Sequence, residues 1–167
     1  LVNRRNFLLG AAASAAAQTA PARVIDTHIH LFDPMRPEGV PWPPKDNATL
    51  YHPALLARYR GLTAGLHING VIEVECSPWL EDNQWVLDLA ARDKLIVGTI
   101  GNLDPAAADF PRHLDRFHRN PRFRGIRFGN LWGRNLSDEI AKPAFLDGLK
   151  RLADAGLSLD TANPIPC

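Results

Sequence analysis

From about residue 23 to residue 161, short apolar runs of strand length alternate with segments of helical period, and this alternation constrains the fold more than any other feature. Strands are expected over 23–29, 69–75, 95–101, 124–129 and 157–161. Between them, helices are expected over 54–66, 81–92, 106–118 and 143–155. In the third helix Phe110, Leu114 and Phe117 recur at i, i+4 and i+7, and in the fourth Phe145, Leu149 and Leu152 follow a similar spacing. Gly156 is placed to end that last helix in a left-handed conformation. Repeated strand–helix–strand order predicts parallel βαβ units, and near-continuous apolar strands predict a sheet that is covered by helices.

Two architectures satisfy that pattern, an open doubly wound sheet and a (β/α)8 barrel. No glycine-rich phosphate loop follows the first strand, where a dinucleotide-binding fold would carry one. Polar residues instead mark the ends of several strands: His28 and His30 on the first, Glu75 on the second, Asn102 after the third, Arg127 on the fourth and Asp160 on the fifth. Barrel enzymes distribute their sites over strand ends in this way. The expected fold class is therefore α/β, a partial (β/α)8 TIM barrel with about five βα units.

Strand side chains alternate faces, so "VIDTHIH" is expected to put Asp26, His28 and His30 on one face, inside the barrel, and Ile25, Thr27 and Ile29 on the other. A buried polar row needs partners. A divalent metal such as zinc, bound by His28 and His30 at about 2.0–2.1 Å, would supply one, and a bound anionic substrate another. Asp26 sits deeper and is expected to orient a histidine. The same alternation places Glu73 and Glu75 inside, with Glu75, nearer the mouth, and Asp160 as the candidates for catalysis and Glu73 as a structural partner. Arg127 is expected either to clamp a substrate carboxylate or to pair with Glu73 or Glu75. Trp42 and Trp132 lie on loops over the same mouth, where they wall a substrate pocket or bury themselves. Trp42 and Asn102 complete the candidate substrate contacts. His52, His67, His113 and His118 are expected to play structural or solvent roles.

The first strand is followed by a proline-rich loop of about twenty residues, "FDPMRPEGVPWPPKDNATLYHP", long enough to be functional. Residues 1–22 differ in kind: Arg4 and Arg5 precede an Ala-rich apolar run, the layout of a twin-arginine-like export signal. Cleavage after Ala17 or Ala22 would leave a periplasmic or secreted protein without a stable membrane anchor. A non-functional signal would leave it cytoplasmic. Nineteen basic and eighteen acidic residues balance to +1, with no basic patch for nucleic acid. Cys76 and Cys167 make no disulfide framework, and both are expected as free thiols.

"VIDTHIHLFDP", the loop "GVPWPP", "VIEVECSPWLEDNQWVLDLAARDKLIVGTIGNLDP" and "FRGIRFG" together resemble the amidohydrolase-related family, in particular its sugar-lactone and dicarboxylate lactonase branch. The resemblance runs from Val24 to Thr161. It implies a (β/α)8 barrel that opens a small lactone or carboxylate substrate with water, with decarboxylation in some relatives. It also implies metal binding at His28 and His30 (the metal being absent in part of the branch) and substrate contact at Arg127. Glu75 falls at a variable position. Asp160 stands where binuclear members carry a histidine, and Arg127 where they carry a lysine. The resemblance places further site residues beyond Cys167. The chain is therefore expected to be an N-terminal portion of such an enzyme, inactive alone, or else a binding fragment without turnover.

Overall fold

The computed structural model describes residues 22–162. The expected export signal, but for Ala22, and Cys167 lie outside the described residues. Strands β1 (Val24–Ile29), β2 (Ile68–Val74), β3 (Ile96–Gly101), β4 (Phe123–Gly129) and β5 (Ser158–Ala162) alternate with helices α1 (Leu56–Leu62), α2 (Leu80–Arg92), α3 (Phe110–His118), α4 (Leu136–Glu139) and α5 (Pro143–Asp154). All strand pairs are parallel, in the order β1-β2-β3-β4-β5. Sequential parallel order with helices between successive strands is the winding of a partial (β/α)8 barrel.

The core lies between the sheet's outer face and the helices, in two clusters. Phe123 and Ile126 of β4 pack with Phe110, Leu114 and Phe117 of α3 and Leu152 of α5. Ile29, Val71 and Ile96 of β1, β2 and β3 pack with Leu56 of α1 and Ala90 of α2. The expected spacing in α3 is the buried one, since Phe110, Leu114 and Phe117 are all sealed from solvent. Helix α5 packs closely on the β3–α3 loop because residue 148 is glycine: a Cβ there would stand 2.2 Å from the Pro105 carbonyl oxygen. Its end follows expectation, with Gly156 at φ +67° and bonds from Gly156 N to Ala153 O (2.9 Å) and Leu157 N to Leu152 O (3.1 Å).

Helix α1 is shorter than its pattern predicts. Ala54 is drawn into an antiparallel bridge with Phe32, through bonds of 3.2 and 2.9 Å, which ties down both ends of the proline-rich loop. Helix α3 starts later than expected because Asp104 turns the chain first, accepting bonds from the N–H groups of Ala106 and Ala107. Helix α4 was not expected. Asn135 caps it, its side chain accepting from Ser137 N at 3.0 Å.

One departure from strict alternation, in β1, and the choice of face in β2 decide which side chains face the site. In β1, Asp26 pairs with Val71 and Ile29 with Glu73, three residues against two. That extra residue is a bulge, and it turns Asp26 to the face opposite His28. Asp26 points to the helices and accepts from the Tyr59 hydroxyl of α1 at 2.8 Å. It also accepts from His28 N (3.2 Å), but it orients neither imidazole, contrary to expectation. Glu73 likewise faces outward, because paired residues of a parallel ladder share a face. It pairs with Ile29 and Thr99, and Thr99 pairs with Phe123, a core residue.

Candidate functional site

At the C-terminal ends of the strands, four of the expected residues meet on the inner face. Arg127 of β4 and Asp160 of β5 pair in register, and the Arg127 Nε–H donates to Asp160 Oδ2. Arg127 Nη2 lies 3.1 Å from His28 Nε2. A guanidinium can only donate, so His28 accepts at Nε2 and carries its proton on Nδ1. The two imidazoles stand edge to face, 5.1 Å between ring centres. His30 Nδ1 is 2.7 Å from the Val74 carbonyl oxygen, which can only accept, so the His30 proton is on Nδ1 and the Nε2 lone pair is left over. Burial holds the His30 pKa below its ordinary value, against the raising effect of the Val74 bond, and the Arg127 charge acts in the same direction as burial. The ring is therefore a neutral base at neutral pH.

Arg127 is a buried cation, with its side chain 9% exposed. Its neutralising partner is Asp160 rather than Glu73 or Glu75, which corrects that expectation. Gly125 makes the pairing possible, since a Cβ there would stand 2.2 Å from the Ser158 carbonyl oxygen and force β4 and β5 apart.

Glu75 stands apart from this group. It follows the last residue of β2 and lies at the mouth, not on the inner face with the histidines as alternation predicts. Its Oε2 accepts from Ser77 N (3.0 Å) and from the indole N–H of Trp132 (3.2 Å). Burial raises its pKa, while those two donors and the charges of Arg127 and Arg134 oppose the rise. Glu73, 2% exposed and with no hydrogen-bond partner among the described residues, is raised well above the usual carboxylate range by burial and then by Glu75. Both line a cavity under the proline-rich loop, walled by Trp42, Trp79, Trp85 and Val86.

Trp42 reaches His30 from the proline-rich loop, its ring centre 6.4 Å from that of His30 and 5.2 Å from that of Phe32. Asn102 belongs to a separate depression with Leu80, Asp104, His113 and Arg134. Its side-chain oxygen accepts from Arg134 Nη2 at 2.5 Å, and its backbone exchanges two bonds with Asn83 of α2. His113 is structural, as expected: buried on α3 and bonded to Asp109 at 2.9 Å. Cys76 is a free thiol.

The donor set decides what a metal would find here. A catalytic zinc takes three protein ligands and a water. His30 offers a free lone pair, but His28 presents its Nε2 to a guanidinium, and Asp160 is bound to that same cation. Among the described residues no group of three or more His, Cys, Asp or Glu gathers to hold an ion. These residues therefore do not complete a metal centre by themselves. What they form is a neutral imidazole base beside a fixed cation, under an indole.

The chain has relatives among known proteins. The chain is 29% identical over 103 residues to the L-fucono-1,5-lactonase of Burkholderia ambifaria, a match covering 62% of this chain and 35% of the lactonase. Among solved structures it shares the fold of a zinc-bound amidohydrolase from Burkholderia multivorans (TM-score 0.72, 20% identity), covering 83% of this chain and 48% of that one. It also shares the fold of a probable 2-pyrone-4,6-dicarboxylic acid hydrolase from Acinetobacter baumannii, solved with citric acid bound (TM-score 0.62, 18% identity), covering 84% and 49%. The chain thus spans about a third to a half of the length of these proteins. The amidohydrolase family model matches residues 25–163, the whole of the half-barrel and its strand-end residues, and on that match the chain belongs to the amidohydrolase family.

Proposed function

We propose that the chain carries the N-terminal share of a lactone-hydrolysing site, for a small sugar-derived or dicarboxylate lactone. The observation that carries this reading is the buried Arg127 cation, fixed by Asp160 and set within the same group as the unprotonated His30 Nε2. The named lactonase and the probable pyrone-dicarboxylate hydrolase support the substrate class.

In this reading Arg127 holds a carboxylate or hydroxyl of the substrate, or the oxygen that becomes negative as water adds to the carbonyl. His30 Nε2 takes the proton of the attacking water. The ring C–O bond then breaks, the ring oxygen takes a proton, and a hydroxy acid leaves. Trp42 shields the His30 side of the site from bulk water. Glu75, with Trp132 on one side, borders the mouth, and Asn102 serves the neighbouring depression. A divalent ion enters this scheme only with ligands additional to His28 and His30, and would then polarise the carbonyl.

The carboxylates in reach are engaged, Asp160 by Arg127 and Glu75 by Trp132, while Glu73 faces away. We therefore expect the 167-residue chain to bind such ligands with little turnover. Export by the twin-arginine-like segment 1–22 belongs to the same reading, and sequencing the N-terminus of the mature protein tests it.

The test is a panel of sugar-acid lactones and pyrone dicarboxylates, followed both by proton release and by calorimetric binding. Arg127→Met is expected to weaken binding of carboxylate-bearing ligands by on the order of 2–3 kcal/mol, and His30→Ala to remove any hydrolysis. Turnover that survives replacement of both His28 and His30 by alanine would overturn the site assignment. Carbon dioxide release from an aromatic acid would instead favour decarboxylation.

A further inference from the structure

Arg36 lies in the proline-rich loop, outside the group of residues described above, yet it is the loop's most heavily bonded side chain. Its Nε–H donates to the Gly39 carbonyl oxygen at 2.6 Å and its Nη2–H to Asp82 Oδ1 at 2.5 Å. The guanidinium centre stands 4.9 Å from the Trp85 ring and 5.8 Å from the Trp79 ring. Only 9% of the side chain is exposed. Asp82 sits in the first turn of α2, where the helix dipole favours a carboxylate. Trp85 is one turn further along the same face, and Trp79 is the residue preceding α2.

The loop is tied on both sides of Arg36. Gly39, at φ +68°, closes a turn back onto the Arg36 carbonyl with a 2.9 Å bond. Three residues beyond Gly39, Trp42 packs on His30 and Phe32. Trp42 itself makes no side-chain hydrogen bond among the described residues. Its place over His30 is therefore set by the path of the loop, and that path is fixed on α2 by Arg36.

We propose that Arg36 is a positioning residue for the site: by clamping the loop between Trp79, Trp85 and Asp82 it seats the Trp42 indole over His30. The role needs arginine in particular. A planar fork donates to Gly39 and Asp82 at once while its face lies toward the indoles, which a lysine ammonium cannot do. The proposal rests on the site assigned above, but its primary test does not use hydrolysis.

The full chain is labelled with 5-fluorotryptophan, and its four tryptophan resonances are assigned by single Trp→Phe variants. Arg36→Met is expected to shift and broaden the Trp42 resonance, to leave that of Trp132 in place, and to lower amide-exchange protection over residues 37–43 by about tenfold or more. Arg36→Lys should restore part of the Trp42 shift, and added guanidinium ion should restore more of it in Arg36→Ala. Where a lactone is turned over, Arg36→Met should raise KM by about tenfold with a smaller change in kcat.

Asp82→Asn gives the same test from α2 should Arg36→Met fail to fold. An unshifted Trp42 resonance in a folded Arg36→Met or Asp82→Asn protein overturns the proposal. So does an equal loss of the Trp42 and Trp132 resonances in both, which would mark general loosening. If no lactone or sugar-acid ligand is bound yet Trp42 responds as expected, the positioning role stands and the lactone-site reading fails.

Discussion

Glu73 is a carboxylic acid held between sheet and helix with no partner among the described residues, and burial at that point disfavours its charged form. Its pKa is raised above the ordinary 4.5, so between that value and the raised one the folded chain binds more protons than the unfolded chain. Stability from this group is fully present below 4.5 and falls as the pH rises through the raised value. Glu75 is shifted in the same direction and adds to the slope. Glu73→Gln cannot ionise. Urea unfolding from roughly pH 4 to pH 8 should therefore find the variant equal to or below the parent in acid and above it at neutrality. Glu73→Met should gain on the order of 1–3 kcal/mol at pH 7, because it places an apolar side chain where an unpaired carboxyl stood. A neutral-pH loss in both variants would mean that Glu73 has a stabilising partner. His30 makes the complementary point. Its single hydrogen bond to Val74 fixes the tautomer, and burial removes its charge, so two local contacts define a base without any third group.

At the scale of the elements, alternation and helical period were enough to locate all five strands and the four long helices, because each buries a periodic face on the core. The spacing of Phe110, Leu114 and Phe117 in α3 carried that information directly. The bulges carried none. Nothing in "VIDTHIH" signals that three residues of β1 oppose two of β2, so a strict period of two put Asp26 on the site face; in β2 the period holds, but the face shared by Val71 and Glu73 is the one packed on the helices. Arg36 was equally silent, since its partners lie some forty residues further on, at Trp79, Asp82 and Trp85, with no local pattern to announce them. The four inward residues were legible because His28, His30, Arg127 and Asp160 all lie within two residues of the C-terminal ends of their strands. Glycine positions act at this same scale. Gly148→Ala drives a methyl into the Pro105 carbonyl, where the contact is backbone and cannot swing aside. It should cost about 1–3 kcal/mol in urea unfolding. An unchanged midpoint would show that α5 slides freely over the β3–α3 loop.

Across the whole molecule the two faces of the sheet are buried unequally. On the helix side Val71, Ile96 and Ile126 are fully sealed. Turned the other way, Ile25, Ile72, Val97 and Ile100 are each only partly covered, and His28 is exposed. Outer strands β1 and β5 each pair with one neighbour within the described residues. A five-stranded parallel sheet curled in this way has an apolar inner surface and two unpaired edges, both of which favour association. The matched proteins, of which this chain spans a third to a half, have more chain with which to cover such a surface. The 167-residue chain on its own is therefore expected to bind an apolar dye such as ANS under native conditions and to associate as its concentration rises. Sedimentation velocity over a hundredfold range of concentration checks this, with dye binding followed in parallel. Ile72→Lys together with Ile100→Lys, two inner-face changes that leave both core clusters intact, should suppress dye binding and association together while the far-ultraviolet dichroism stays the same. Suppression of neither would mean that the inner face is covered in solution. Loss of dye binding with association retained would assign the contact to the edges of β1 and β5.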